Sequence, residues 1–369
     1  MTCVEAKQGW LASRVPGFTC VRDMLCESRS PGAPWLATLP TLLAAMLVLL
    51  LASGVVLAPF YDPRHAYAAL QTIMRDVPGG WLVLSYHQIG ASLAFALLYL
   101  HLFRILLVRG YRAPAEFGWM LWVKLLVVLL LAGWMGFVLN GGVGGHSSLF
   151  NAVNAAMLLP GIPGAVAMWV FGGASGGATL ARLLVFHALL ALCAAWIILM
   201  AFAADKKARP VLQGPGVPFW PIYAAQYFAA LSVLALVFAV LLGFVPHWGQ
   251  GTQNTIPAAT AVIPAAISYP WYLTPAAGLA GAFPGVAGHI CAMILAAALL
   301  YALPWLDRSR GARHGRVYMA LTWLLGVDVL MLGLVTAFPM GGVLPKLLGL
   351  WFYFHFLVLT PLVTMMEAA

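Results

Sequence analysis

From Pro210 to Leu306 the chain contains no Asp, Glu, Lys or Arg, and from Leu125 to Ala204 it contains one, Arg182. Stretches this long without charge cannot clothe a water-facing surface. A soluble chain carries about 25% charged residues, whereas this one carries 8% against 63% apolar. Lipid is therefore the solvent for most of it. Apolar runs of bilayer-spanning length, about 20 residues each, fall at 38–60, 81–108, 119–139, 180–203, 223–246, 285–305, 317–338 and 344–365. A further apolar stretch, 147–175, is broken by Pro160, Pro163 and many glycines and reads as a surface helical hairpin.

The net charge of +9 is topological. With eight spans, four segments share one side: the N-terminus (Lys7, Arg14, Arg22, Arg29), the second–third connection (Arg104, Arg109, Arg112), the fourth–fifth (Lys206, Lys207, Arg209) and the sixth–seventh (Arg308, Arg310, Arg313, Arg316). The opposite side carries Arg64, Arg75, Arg182 and Lys346. The positive-inside bias places both termini in the cytoplasm. Anionic lipid headgroups, not nucleic acid, are the natural partner of this charge. Residues 1–34 are scattered with charges, unlike a cleavable signal, and read as an amphipathic surface segment around Trp10–Leu11 and Met24–Leu25. The third–fourth and fifth–sixth connections on the outer side are long and nearly uncharged, as expected of loops that roof a hydrophobic cavity. The five cysteines form no CxxC pair, which excludes the usual zinc and iron–sulfur patterns. Cys193 and Cys291 lie in apolar runs and read as core.

The second span carries His87 and His101. Fourteen helical steps rise about 21 Å and come within roughly 40° of four whole turns, so both imidazoles share one face at two membrane depths. Each could be a hydrogen-bonded core group. The pair also suits two stacked haems, each needing a histidine opposite. His187, on the fourth span, stands opposite His87. Opposite His101 the equivalent position is Ala201, and Met200 beside it points about 100° off the face.

Segments in order along the chain resemble cytochrome b of the quinol:cytochrome c oxidoreductase (bc1/b6f-type) complexes: WLASRVP (10–16), ASGVVLAPFY (52–61), GGWLVLSYHQIGASLAFALLYLHLFR (79–104), YRAPAEFGW (111–119), GWMGFVL (133–139), WVFGGASGGATLARLLVFHALL (169–190), VPFWPIY (217–223), PWYLTP (270–275), LPWLDRS (303–309) and FYFHFLVLTPL (352–362). The resemblance implies an all-α, eight-span integral membrane fold. Residues 35–209 would be the haem-binding four-helix half and 210–369 the C-terminal four-span half. It also implies haem b, with glycines beside each porphyrin where a Cβ would clash. For the outer haem the set is complete: His87 and His187 as axial iron ligands, with Gly54 and Gly136. For the inner haem only His101 remains, since Pro40, Trp122 and Ala201 stand at the other three places. Arg104 matches an arginine that serves an inner-haem propionate, while Leu84 stands where the outer-haem arginine would be.

The family oxidises quinol at an outer pocket whose Pro-Glu-Trp-Tyr glutamate takes a proton. Here Pro270 occupies the glutamate's place, Trp271 and Tyr272 remain for a quinone pocket, and LNGGVGGHSS (139–148) replaces another wall of it, leaving His146 as a candidate acceptor. His289, Asp328 and His355 are intramembrane ionisable residues that read as helix-packing hydrogen-bond groups, and His65, His247 and His314 lie near interfaces. The resulting expectation is an electron-transfer subunit of a quinol-linked respiratory complex in a bacterial-type inner membrane. It would hold one outer b haem, run no full Q cycle, and meet cytochrome c-type or iron–sulfur subunits and a second copy of itself. The alternative is a haem-poor scaffold for such subunits.

Overall fold

Eight helices long and apolar enough to cross a bilayer run through the computed structural model, which describes residues 28–29, 35–158, 164–172, 176–208, 217–258, 264, 266–309, 315–338 and 343–367. They are built from α1 (Leu39–Leu57), α3 (Gly80–Leu107), α4 (Glu116–Leu139), α7 (Gly177–Ala208), α8 (Ala224–Phe244), α10 (Gly285–Leu306), α11 (Arg316–Ala337) and a last span. That last span joins α12 (Leu344–Phe354), a π-turn (His355–Leu359) and α13 (Thr360–Met366). Shorter helices complete the set: α2 (Ala66–Arg75), α5 (Val143–Met157), α6 (Gly164–Phe171) and α9 (Thr274–Gly281). All eight expected runs are spans. The expected hairpin region holds α5 and α6, which pack against one another. The only strands among the described residues are Ser28–Arg29 (β1) and Val217–Pro218 (β2), paired antiparallel. The rest of the amphipathic N-terminal segment, and His314, lie outside the described residues.

The N-terminal half is a bundle of α1, α3, α4 and α7, in which α4 packs along α7 and α1 along α3. The second span is its centre: 61% of its apolar window is buried, against 17% for the fifth span. These helices are apolar on every side, so sequence alone does not mark which face meets lipid. Three expectations fail for that reason. Cys193 and Cys291 are exposed on the bundle's outside, not in its core. His289 is also exposed, so it packs between no helices. Asp328 and His355 are buried as expected, but both Asp328 carboxylate oxygens and His355 Nδ1 have no hydrogen-bond partner among the described residues.

The two long connections at one end, called outer after the charge bias, are stitched together by polar contacts. Buried Asn254 donates to the Phe137 carbonyl (2.8 Å) and accepts from Gly145 N (2.8 Å). Tyr67 donates to the Thr255 carbonyl at 2.7 Å. Between them lies a cleft of about 390 Å³. Its lining includes Gln88 from α3, Asn140 at the end of α4, Arg75, His247 and Gln250.

At the inner end the two halves are locked by a buried cation. Arg109 donates to Glu367 (2.7 Å) and to Ser309 Oγ (3.0 Å) and lies over the Tyr318 ring at 3.8 Å. Tyr111 donates to Asp307 at 2.9 Å, and burial, followed by the neighbouring Tyr318 and Asp307, raises its phenol pKa. Arg109 thus serves the protein interior and not a headgroup layer. Trp119 Nε1 reinforces the junction by donating to the Leu300 carbonyl at 2.7 Å.

Candidate haem site

α3 and α7 bring His87 and His187 opposite one another, with ring centroids 6.1 Å apart and ring planes inclined at 62°. Two imidazoles on opposite sides of one metal ion, each nitrogen at about 2.0–2.1 Å, place their ring centres roughly 6 Å apart. Both rings use Nδ1 for the protein. His87 Nδ1 lies 3.0 Å from Ser53 Oγ, and His187 Nδ1 lies 2.9 Å from the Ala132 carbonyl. Such contacts orient an imidazole and leave its Nε2 available as a ligand. Gly54 and Gly136 complete a near-symmetric frame. A Cβ on Gly54 would stand 3.2 Å from His87 Cε1, and one on Gly136 would stand 3.2 Å from His187 Cε1. Among the described residues no group of three His, Cys, Asp or Glu forms a metal-holding cluster. A bare ion would have two protein ligands here, whereas haem brings four nitrogens of its own. The residues at this level fit a bis-histidine haem.

The inner level has a different construction. His101 is 2% exposed, and neither ring nitrogen has a hydrogen-bond partner among the described residues. The Trp122 ring stands edge-on to it at 4.3 Å between centroids. Trp122 is fully buried, and its Nε1 donates to Asp205 Oδ2 at 3.0 Å. Ala201 is fully buried and offers no ligand, whereas Met200 beside it is exposed. Pro40 serves the first turn of α1, where its missing N–H costs nothing. The residues at this level do not fit a porphyrin. Arg104 is half-buried, and Asp205 is among the charges acting on it.

Near the outer end, Pro270 starts a turn closed by Leu273 N to its carbonyl at 2.9 Å. The turn seats Tyr272 against α3: its ring stacks on Phe95 at 4.3 Å, and its carbonyl accepts from Tyr99 at 2.7 Å. Burial raises the Tyr272 phenol above its usual range, so the group stays a donor. Trp271 stacks on Trp248 at 5.6 Å, and its Nε1 is buried without a partner among the described residues. His146 lies on α5, half-buried, not in an open loop. His65 pairs with Asp62 at 2.9 Å, and that hydrogen bond leads the causes that hold the Asp62 carboxyl below its usual pKa.

The family described as "Cytochrome b/b6/petB" matches residues 34–208, and that described as "Cytochrome b(C-terminal)/b6/petD" matches 257–359. Cytochrome b of Rhodospirillum rubrum is 30% identical over 97% of this chain and 93% of its own length. The chain belongs to the cytochrome b family. Cytochrome b of Cereibacter sphaeroides is 31% identical over 97% of this chain and 89% of its own, and that of Rickettsia bellii is 29% identical over 96% and 92%. A solved chain titled "Hyperthermophilic respiratory Complex III" superposes with a TM-score of 0.83 over 97% of this chain and 99% of its own, at 22% identity, and supports the cytochrome b fold.

In this cytochrome b, nothing local in the sequence marks Ser53, the Ala132 carbonyl or Asp205 as part of these two levels. Ser53 directly precedes Gly54 and is a polar residue within an apolar run. Asp205 is the only carboxylate on α7, but its partner Trp122 is distant in the chain.

Proposed function

We propose that this cytochrome b is the membrane electron-transfer subunit of a quinol-linked bc-type respiratory complex, and that it holds one b haem, between His87 and His187. The observation that carries the single-haem reading is the contrast between the two levels. A 6.1 Å imidazole pair framed by two glycines stands at one, and a buried indole hydrogen-bonded to Asp205 stands at the other. Bound there, haem supplies a one-electron redox centre whose potential responds to its ligands and their hydrogen bonds. Ser53 and the Ala132 carbonyl keep the two imidazoles in place. The glycines admit a flat macrocycle, and the surrounding apolar helices exclude water.

A single centre held by His87 and His187 near the outer end would supply one-electron exchange with partners on that side. It does not carry electrons across the membrane, which is why a full Q cycle is outside this chain's reach. Residues 35–209 hold the redox centre and 210–369 shape the outer loops. Trp271 and Tyr272 are the quinone contacts, acting as N–H and O–H donors, while proton acceptance falls to groups other than Pro270. The complex III title of the structural neighbour supports partner redox subunits in a membrane complex; that these are cytochrome c-type or iron–sulfur subunits and that a second copy of the chain joins them rest on the sequence resemblance, and cytoplasmic termini rest on the charge bias. The test is a pyridine haemochrome of the purified chain: one b haem per chain is expected. Two would refute the reading of Trp122, and none would favour the scaffold alternative.

A further inference from the structure

The polar cleft at the outer end stands one helical turn beyond the His87–His187 gap. Leu84 lies three residues before His87 on α3, and Asn140 lies four after Gly136 on α4. Each is displaced outward by roughly 5 Å, and both line the cleft. A chain of side-chain amides connects the two levels. Asn140 Nδ2 donates to the Gly136 carbonyl at 3.4 Å, Gln88 Nε2 donates to Asn140 Oδ1 at 3.3 Å, and Gln250 Nε2 donates to Gln88 Oε1. Gln250 also lies 3.3 Å from His247 Nδ1.

The cleft's charge is one-sided. Arg75, at the end of α2, is its only charged lining residue, His247 is its only imidazole, and no carboxylate lines it. Among the described residues Arg75 forms no ion pair. The other outer-end arginines of this half are placed elsewhere: Arg182 donates to the Trp169 carbonyl, and Arg64 packs against Gly177 at the start of α7. A haem b carries two carboxylates. An ionised carboxylate taken from water needs a counter-charge and hydrogen-bond donors, and Leu84 supplies neither.

We propose that this cleft receives the carboxylate edge of the outer haem, with Arg75 as its counter-cation and the Gln88–Asn140–Gln250 amides as its hydrogen-bonding lining. The proposal rests on the outer-haem reading above. Arg75 is a binding residue for the propionates and takes no part in iron ligation.

The test titrates the haem-free full-length chain, in detergent, with haem b and with haem b dimethyl ester, read by absorbance. The wild type binds haem b more tightly than the ester. Arg75→Leu weakens haem b about tenfold and leaves the ester unchanged, and Arg75→Lys restores most of the difference. Equal affinity of the wild type for both forms, or equal loss of both in Arg75→Leu, overturns the proposal while leaving the haem reading intact. Phosphatidylglycerol is titrated in parallel. Arg75-dependent thermal protection by that lipid, with haem affinity unchanged, assigns the cleft to a lipid phosphate and also overturns it. A wild-type chain that binds no haem overturns both this proposal and the single-haem reading.

Discussion

Trp122 donates its indole N–H to Asp205 over 3.0 Å while its ring stands edge-on to His101, 4.3 Å between centroids. The indole therefore belongs to the packed core between α3, α4 and α7. Trp122→Ala is expected to cost about 3–5 kcal/mol, the range for emptying a buried aromatic site, read as a lower melting temperature in detergent. It should add no haem, because Ala201 still supplies no ligand opposite His101. A second haem in this variant would mean that the indole alone had been blocking a competent site.

The two histidine levels separate cleanly in a spectroscopic experiment. His87→Ala and His187→Ala are each expected to abolish the low-spin haem spectrum, since each removes one of two facing ligands. His101→Ala should leave that spectrum intact: neither of its nitrogens has a partner to lose. Loss of half the absorbance in His101→Ala would place a haem at the inner level.

Gly54 and Gly136 should act through space and not through fold. An added Cβ already meets an imidazole carbon at 3.2 Å, so a branched side chain intrudes on the gap that the rings share. Gly54→Val and Gly136→Val are expected to reduce haem occupancy at least tenfold while the helical circular dichroism stays within error of wild type. A variant with full occupancy would show that the frame has more room than these distances allow.

The spans were legible because a bilayer demands about 20 apolar residues, and this demand writes itself as uninterrupted runs. That His87 and His187 stand opposite one another was legible because fixed helical geometry turns sequence spacing into depth and face, whereas Gly54 and Gly136 came only from the resemblance to the family. Orientation toward lipid or core was not, because helices apolar on all sides carry no periodic signal. His289, Cys193 and Cys291 were misplaced for that reason. Contacts joining distant segments were invisible for another: nothing local distinguishes Ser53 or Asp205 from any other polar residue until the helices that face them are in place. Arg109 shows this most strongly. It reads as one more inner-side charge, yet its side chain is 3% exposed and meets the other end of the chain.

That buried arginine makes the last prediction. Its guanidinium lies 3.9 Å from Asp307, whose side chain is fully buried, and 2.7 Å from Glu367. Arg109→Met would strand the Asp307 carboxylate with, among the described residues, only its Tyr111 and Ser309 donors and leave Glu367 held by the Tyr318 N–H at 3.0 Å. Removing one partner from a buried ion pair costs about 3–5 kcal/mol. Glu367→Gln keeps an acceptor for Arg109 and loses the charge, so its cost should be nearer 1 kcal/mol. Unfolding by SDS titration in mixed micelles measures both. If the two variants lose equal stability, or Arg109→Met stays within 1 kcal/mol of wild type, the arginine is not what holds the two halves together.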